Sequence, residues 1–279
     1  MDIFIVDAFT DRAFSGNPAG VVLLKSGFPG DEWLRDVAAE VNLSETAFLH
    51  PLPPAESGDR PTADWALRWF TPVAEVSLCG HATLAAAHVL ARTGRDADTV
   101  RFASRSGVLT ARTGSDGSVT LDFPASLAVQ AAVPDGLAGV LGAPPVSVWD
   151  TGELGDLLVE LSDERTVREL APDQAGLARL GGRGVIVTAE ADETASGRYD
   201  FVSRYFAPAY GVPEDPVTGS AHTALAPWWA QRLGRGELTG LQLSARRGTV
   251  ATRMSGDRVL LTGWATIVVS GKLHVEPRY

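Results

Sequence analysis

The chain has 279 residues, 45% apolar and 21% charged, with a formal net charge of −10 and a pI near 5.0. That length exceeds what one hydrophobic core usually serves and suits two domains of roughly 140 residues. The acidic balance opposes nucleic acid and anionic membranes as partners, and the single cysteine, Cys79, excludes an intrachain disulfide and a cysteine-only metal centre.

In chain order, the opening MDIFIVDAFTDRAFSGNP is broken by Asp7, Asp11 and Arg12 and lacks a basic leader, so it reads as neither signal peptide nor anchor. No uncharged stretch approaches the roughly 18 to 20 apolar residues of a membrane-spanning helix, and a cytoplasmic location is the expectation. Ser15-Gly16-Asn17-Pro18-Ala19-Gly20 reads as a turn by composition, and its lone glycines make no phosphate loop. VVLL at 21–24 predicts a strand, and Asp31-Glu32-Trp33-Leu34 starts a helix that continues through Val37, Ala38 and Val41. ETAFLH at 45–50, WALRWF at 65–70, TVRFAS at 99–104 and SVTLDF at 118–123 are short β-rich runs between Gly, Pro and Asp. The run from Ala82 to Ala91 has no charged residue, which predicts a helix buried on all sides. The region from Pro124 to Pro145 is the expected link, giving a first lobe over 1–125, a second over 126–265, and a tail, 266–279, returning to the first. Loops at 51–64 and 190–200 carry no readable chemistry.

The chain resembles itself. Arg68-Trp69-Phe70-Thr71-Pro72 matches Arg204-Tyr205-Phe206-Ala207-Pro208 as R-aromatic-F-x-P, and Gly80-His81-Ala82-Thr83-Leu84-Ala85 aligns with Gly219-Ser220-Ala221-His222-Thr223-Ala224. Both small-residue runs end near a glycine, Gly94 and Gly234, and each is followed by a strand-like run and an Arg-x-Gly bend. A duplicated half is the reading, each half a sheet closed around or packed on one central helix; the plain alternative is two similar strand-turn-helix units in one fold.

At each repeated glycine an extended segment ends and a buried helix begins, where free backbone amides can hold an anion. A small carboxylate-bearing substrate is one expectation; small residues serving only tight helix packing is the other. Glu45 stands at the start of an apolar strand, where desolvation would raise its pKa toward the range useful in acid-base work, although a solvated or capping role fits too. His81 follows the first glycine and Asp215 precedes the second; a histidine can share its proton near neutrality, and an Asp before Pro fixes a turn. Cys79 sits where a helix start would activate a thiol, but its counterpart is Thr218, which excludes a two-thiol racemase. His88 and His222 read as core residues, as do Trp228 and Trp229. The five histidines show no HxxxH or HxH spacing, and no metal is expected.

Taken in order, Asp7-Ala8-Phe9-Thr10 with Gly16-Asn17-Pro18-Ala19-Gly20, Asn42-Leu43-Ser44-Glu45-Thr46, Cys79-Gly80-His81-Ala82-Thr83-Leu84 and Asp215-Pro216-Val217-Thr218-Gly219-Ser220-Ala221 resemble the phenazine-biosynthesis isomerase-like family, relatives of diaminopimelate epimerase. The resemblance spans almost the whole chain. It implies an α+β fold of two pseudo-symmetric lobes, each a barrel-like β-sheet around a central α-helix, with substrate bound in the cleft between them and a homodimer as the assembly. It implies Glu45 as general acid/base in a cofactor-free isomerisation of a small unsaturated or cyclic carboxylic acid. His81 and Asp215 would assist, and Asn17, Ser44, Cys79, Gly80, Thr218, Gly219 and Ser220 would line the pocket. Cys79 departs from the small residue of the phenazine-pathway member, which points to a different substrate. Two other readings stay open: a Cys79-based dehydratase or epimerase, and a non-catalytic module binding a metabolite or protein.

Overall fold

The computed structural model describes residues 1–53, 62–95, 98–193 and 197–277, so parts of the loops at 51–64 and 190–200 lie outside the described residues. The chain divides into two compact units, Met1–Asp122 with Thr262–Tyr279, and Phe123–Leu261.

The first unit starts with β1 (Asp2–Ala8), on which Phe4, Val6 and Ala8 alternate inward. It pairs antiparallel with β2 (Asn17–Leu23). The turn predicted at 15–20 is therefore shorter than its composition suggests, because only Ser15 and Gly16 lie outside the strand. Gly16 is at φ +66°, and a Cβ there would meet the Ala8 carbonyl at 2.1 Å, so the bend requires glycine. Pro18 stays within the ladder because the next strand, β3 (Glu45–Pro51), pairs with β2 only from Ala19 onward.

Between them, α1 (Asp31–Val41) has an acidic first turn and buries Trp33, Leu34, Val37 and Ala38 against Val22, Phe48 and Phe70. It ends at Asn42, which takes the left-handed conformation at φ 52°. Next come β4 (Trp65–Phe70), the short β5 (Glu75–Val76), α2 (Gly80–Arg92), β6 (Thr99–Ser104), β7 (Gly107–Thr113) and β8 (Val119–Pro124). The uncharged run of α2 is buried except at His88 and Ala91, which are half-buried where its composition predicts burial on all sides, and it touches β1, β2, β3 and β7. Contact with strands across the whole order is what curls the sheet around the helix.

The second unit contains β9 (Val129–Gln130), α3 (Leu137–Leu141), β10 (Ser147–Asp150), β11 (Asp156–Glu160), α4 (Glu164–Glu169), α5 (Gln174–Arg179), β12 (Gly184–Glu190), β13 (Phe201–Ala207), β14 (Val212–Asp215), α6 (Gly219–Leu233), β15 (Glu237–Gln242), β16 (Gly248–Ser255) and β17 (Arg258–Gly263). Ala221, Ala224, Leu225, Trp228 and Trp229 of α6 pack on Leu158, Ile186, Phe201, Tyr205 and Leu238 from four strands. Pro227 inside α6 removes one helix hydrogen bond, but the Thr223 carbonyl it leaves accepts the Ser126 N–H instead. The chain then returns to the first unit as β18 (Ala265–Lys272), antiparallel to β1 and in contact with α2.

Strand pairing repeats between the units. β2 and β3 run parallel, as do β11 and β12; β3–β4 and β12–β13 are antiparallel; β4–β6 and β13–β15 are parallel; β6–β7 and β15–β16 are antiparallel. The β5 and β14 strands each fold back on their predecessor just before a central helix. The two sequence copies therefore build one pattern twice. Among the described residues no helix is long and apolar enough to cross a membrane.

Candidate active site

Both central helices begin in the same way. In the first unit Arg68 on β4 holds Glu75 on β5 through two hydrogen bonds, Nε to Oε1 at 2.8 Å and Nη2 to Oε2 at 2.7 Å. In the second, Arg204 on β13 holds Glu214 on β14 in the same two-pronged way, at 2.7 and 2.9 Å. Each guanidinium also lies over a phenylalanine two residues on, Phe70 at 5.0 Å and Phe206 at 4.9 Å. These locks fix the short strands that lead into the two glycine turns. The R-aromatic-F-x-P repeat marks the arginines, but their carboxylate partners stand seven and ten residues downstream and align only in space.

At the first turn, Cys79 is the extended residue before α2 and caps nothing with its side chain. The first-turn amides of α2 thus meet no side-chain cap, which leaves the positive end of the helix facing the turn. Parallel pairing of Ala19 with Glu45 sets Asn17, Ser44 and Glu45 at one end of the β2–β3 ladder, where α2 begins. Four predicted site residues then form a chain of contacts with a direction. The Ser44 hydroxyl donates to Asn17 Oδ1 at 3.4 Å, and Asn17 Nδ2 donates to His81 Nδ1 at 3.1 Å. His81 Nε2 lies 3.3 Å from Glu45 Oε2. With Nδ1 accepting, the neutral imidazole carries its proton on Nε2, the nitrogen that lies 3.3 Å from the carboxylate.

Burial keeps His81 neutral, pushing its pKa from 6.5 down to about 3. Asn17, His81 and Cys79 are buried, whereas Ser44 is half-buried and the Glu45 side chain keeps 18% of its surface. Cys79 Sγ stands 3.6 Å from His81 Nδ1 and 4.0 Å from Nε2. A neutral ring and a nearby carboxylate supply no cation to stabilise a thiolate.

At the second turn, Asp215 closes β14 and Thr218 precedes α6, again with no side-chain cap. The Thr218 hydroxyl donates to Asp215 Oδ2. Gln242, fully buried at the end of β15, straps this turn: its Oε1 accepts the Thr218 N–H at 2.8 Å and its Nε2 donates to the Asp215 carbonyl at 2.7 Å. Ser220 Oγ accepts from Arg183 at 3.1 Å, and Arg183 also grips the buried Asp156, to which Tyr205 donates at 3.0 Å. Burial raises the Asp156 pKa against the pull of Arg183. A Cβ at Gly184 would fall 2.5 Å from the Tyr205 hydroxyl, so this network also needs a glycine beside it. Sequence reasoning missed Gln242, Arg183 and Asp156, because isolated polar residues near strand ends look like solvated ones.

The other histidines divide. His222 is a core residue as expected: its Nδ1–H donates to the Thr218 carbonyl at 2.8 Å, and its buried Nε2 has no hydrogen-bond partner among the described residues. His88 differs from the core reading. It is only partly buried and lines a surface recess with Asp11, Arg92 and Trp264.

Residues 6–271 match the family of phenazine biosynthesis-like proteins. An uncharacterized isomerase of Pseudomonas aeruginosa is 49% identical over 276 residues, covering 99% of each chain. Among solved structures, a PhzF-family phenazine biosynthesis protein of Enterococcus faecalis superposes with a TM-score of 0.88 at 39% identity, covering 98% of this chain and 99% of that one. A hydroxyproline epimerase of Agrobacterium vitis shares the fold at a TM-score of 0.58 and 15% identity, over 97% of this chain and 91% of its own. The chain belongs to the phenazine biosynthesis-like protein family, with the diaminopimelate epimerase-like fold, and is an isomerase of that family.

Proposed function

We propose that the chain moves a proton between carbons of a small unsaturated or cyclic amino or hydroxy carboxylic acid, with Glu45 as the general acid/base. The observation that carries this reading is the one-directional chain from Ser44 through Asn17 to His81 and Glu45. A carboxylate that acts first as base and then as acid needs a neighbour that stabilises its charge without taking the proton away. A histidine held neutral 3.3 Å from the carboxylate suits this role: its ring N–H is close enough to stabilise the anion, and the ring is too weak a base to compete.

No cofactor enters the scheme, because unsaturation in the substrate can delocalise the charge left on carbon. The amides at the start of a central helix are suited to a carboxylate, Gly80 in the first unit and Gly219 and Ser220 in the second, where the Thr218 N–H is already taken by Gln242. Asp215 is assigned an assisting role in moving the proton. Homodimerisation belongs to the same proposal, and sedimentation velocity tests it directly.

The decisive test is proton-deuteron exchange. In heavy water, NMR of a panel of hydroxy-, amino- and cyclohexadiene carboxylic acids with the protein should show incorporation or isomerisation of one of them. The Glu45→Gln variant should lose it by about 10²- to 10⁴-fold, while Cys79→Ser keeps most of it. Full exchange in Glu45→Gln, or its loss in Cys79→Ser alone, would sink the assignment and favour the thiol.

A further inference from the structure

The short strand β9 stands at an edge of the second unit's sheet. Among the described residues it pairs with β10 alone, Gln130 facing Trp149 and Val129 facing Asp150. Ala131 carries the ladder one residue further, donating its N–H to the Val148 carbonyl at 2.9 Å. Antiparallel partners exchange hydrogen bonds at every second residue, so the Ala131–Val148 pair sets the phase. Val129 and Ala131 turn their backbone groups to β10, and the N–H and C=O of Gln130 point the other way, where they meet no backbone partner among the described residues.

Nothing in the sequence guards that edge. Native sheets blunt open edges with charged residues, proline or a bulge, and Ala125 to Val133 contains neither a charge nor a proline. Among the described residues, Leu127 at 72% exposure, Val129 at 69%, Val133 at 52% and Val146 at 62% are four of the five large hydrophobics that the second unit exposes. Covering these four removes on the order of 400 Å² from each copy, about half of what each partner of an ordinary stable complex buries. In a chain of net charge −10, an uncharged run is also where a second copy approaches against the least repulsion.

We infer that β9 is the surface through which two copies of this chain pair, edge to edge, about a two-fold axis at Gln130. A second copy is the occupant because the edge is complementary to itself. With Gln130 antiparallel to Gln130 of the second copy, the two residues exchange both of their open hydrogen bonds. The same register sets Val129 against Ala131 of the second copy and Leu127 against Val133, and the two-fold axis repeats each apolar pair. The pairing rests on the proposed homodimer for the number of copies and is independent of the isomerase chemistry.

Sedimentation velocity of the full chain at micromolar concentration tests it, and the wild-type chain should be a dimer. Gln130→Pro removes an N–H that the β10 ladder does not use, so the monomer keeps its pairing while the two-fold centre loses both bonds; the dimer should weaken by about 100-fold or more. Leu127→Asp, at an exposed position and therefore safe for folding, should do the same by setting a carboxylate against Val133 on both sides of the axis. Facing residues of a hydrogen-bonded antiparallel pair stand about 5.5 Å apart at Cα, within disulfide reach, so Gln130→Cys should cross-link into a covalent dimer on oxidation. The wild-type chain, whose one cysteine is the buried Cys79, should not. A monomeric wild-type chain would overturn the pairing and the homodimer together. A dimer undiminished in folded Leu127→Asp, with no cross-link through Gln130→Cys, would overturn the pairing and leave the homodimer to another surface.

Discussion

The Asn17 side chain is fully buried, and its two hydrogen bonds decide which nitrogen of His81 carries the proton. We therefore expect Asn17→Ala to cut the exchange rate by about 10²-fold through misorientation of His81. Leaving a buried ring nitrogen without its donor should also cost about 1 to 3 kcal/mol, measured by urea unfolding. An undiminished rate in a folded Asn17→Ala variant would show that the ring needs no fixing. Residues of this kind are half legible in a sequence. Glu45 at the start of an apolar strand and His81 after a glycine are visible as candidates, but that Asn17 serves His81 depends on a strand pairing that no local pattern contains. Composition even argued against it, since Asn17 and Pro18 beside two glycines look like turn residues and are instead the first rungs of β2.

The short strands before α2 and α6 have too few residues to hold themselves, and the Arg68–Glu75 and Arg204–Glu214 pairs do it for them. Charged hydrogen bonds of this geometry are worth about 1.5 to 3 kcal/mol, so Arg68→Ala should destabilise the chain by about that amount. Hydrogen exchange should localise the loosening to the segment leading into Gly80. In the second unit, Gln242→Leu should remove the acceptor of the Thr218 N–H and the donor to the Asp215 carbonyl while preserving volume. We expect a loss of about 2 to 4 kcal/mol in chemical denaturation; a neutral result would show that the strap is dispensable. At this scale the sequence is most readable. Strands at 45–51, 65–70 and 99–104 and both central helices follow from alternation and apolar runs, because those patterns are made by contacts within and beside each element. Pairing partners across tens of residues leave no such mark, and so Gln242, Arg183 and Asp156 stay hidden.

For the molecule as a whole, buried neutral histidines set a pH dependence. Burial takes His222 from its ordinary pKa of 6.5 down to about 4, and His81 adds in the same direction. Between those two values the unfolded chain binds a proton that the folded chain refuses. Stability is therefore full above about 6.5 and falls as pH drops, by about 1.4 kcal/mol per pH unit for the His222 proton, levelling off below about 4. Urea midpoints measured across that window should show the slope, and His222→Gln should make it shallower while leaving the part due to His81. The duplication was legible because it repeats residues as well as contacts: the two R-aromatic-F-x-P motifs lie on β4 and β13, which pair with their neighbours in the same senses.

The return of β18 to β1 makes the first unit discontinuous, with all of Phe123–Leu261 inserted between its parts. On the ribosome this reverses the order of completion. The unit that begins second has every strand it needs once Leu261 has emerged, while β1, made first, waits with one hydrogen-bonding edge bare until Ala265–Lys272 appears. An open edge on a strand carrying Ile3, Phe4, Ile5 and Val6 is a template for association with other chains. Nascent chains stalled after Leu261 should accordingly protect the second unit from protease, leave the first one sensitive, and aggregate through β1 unless a chaperone covers it.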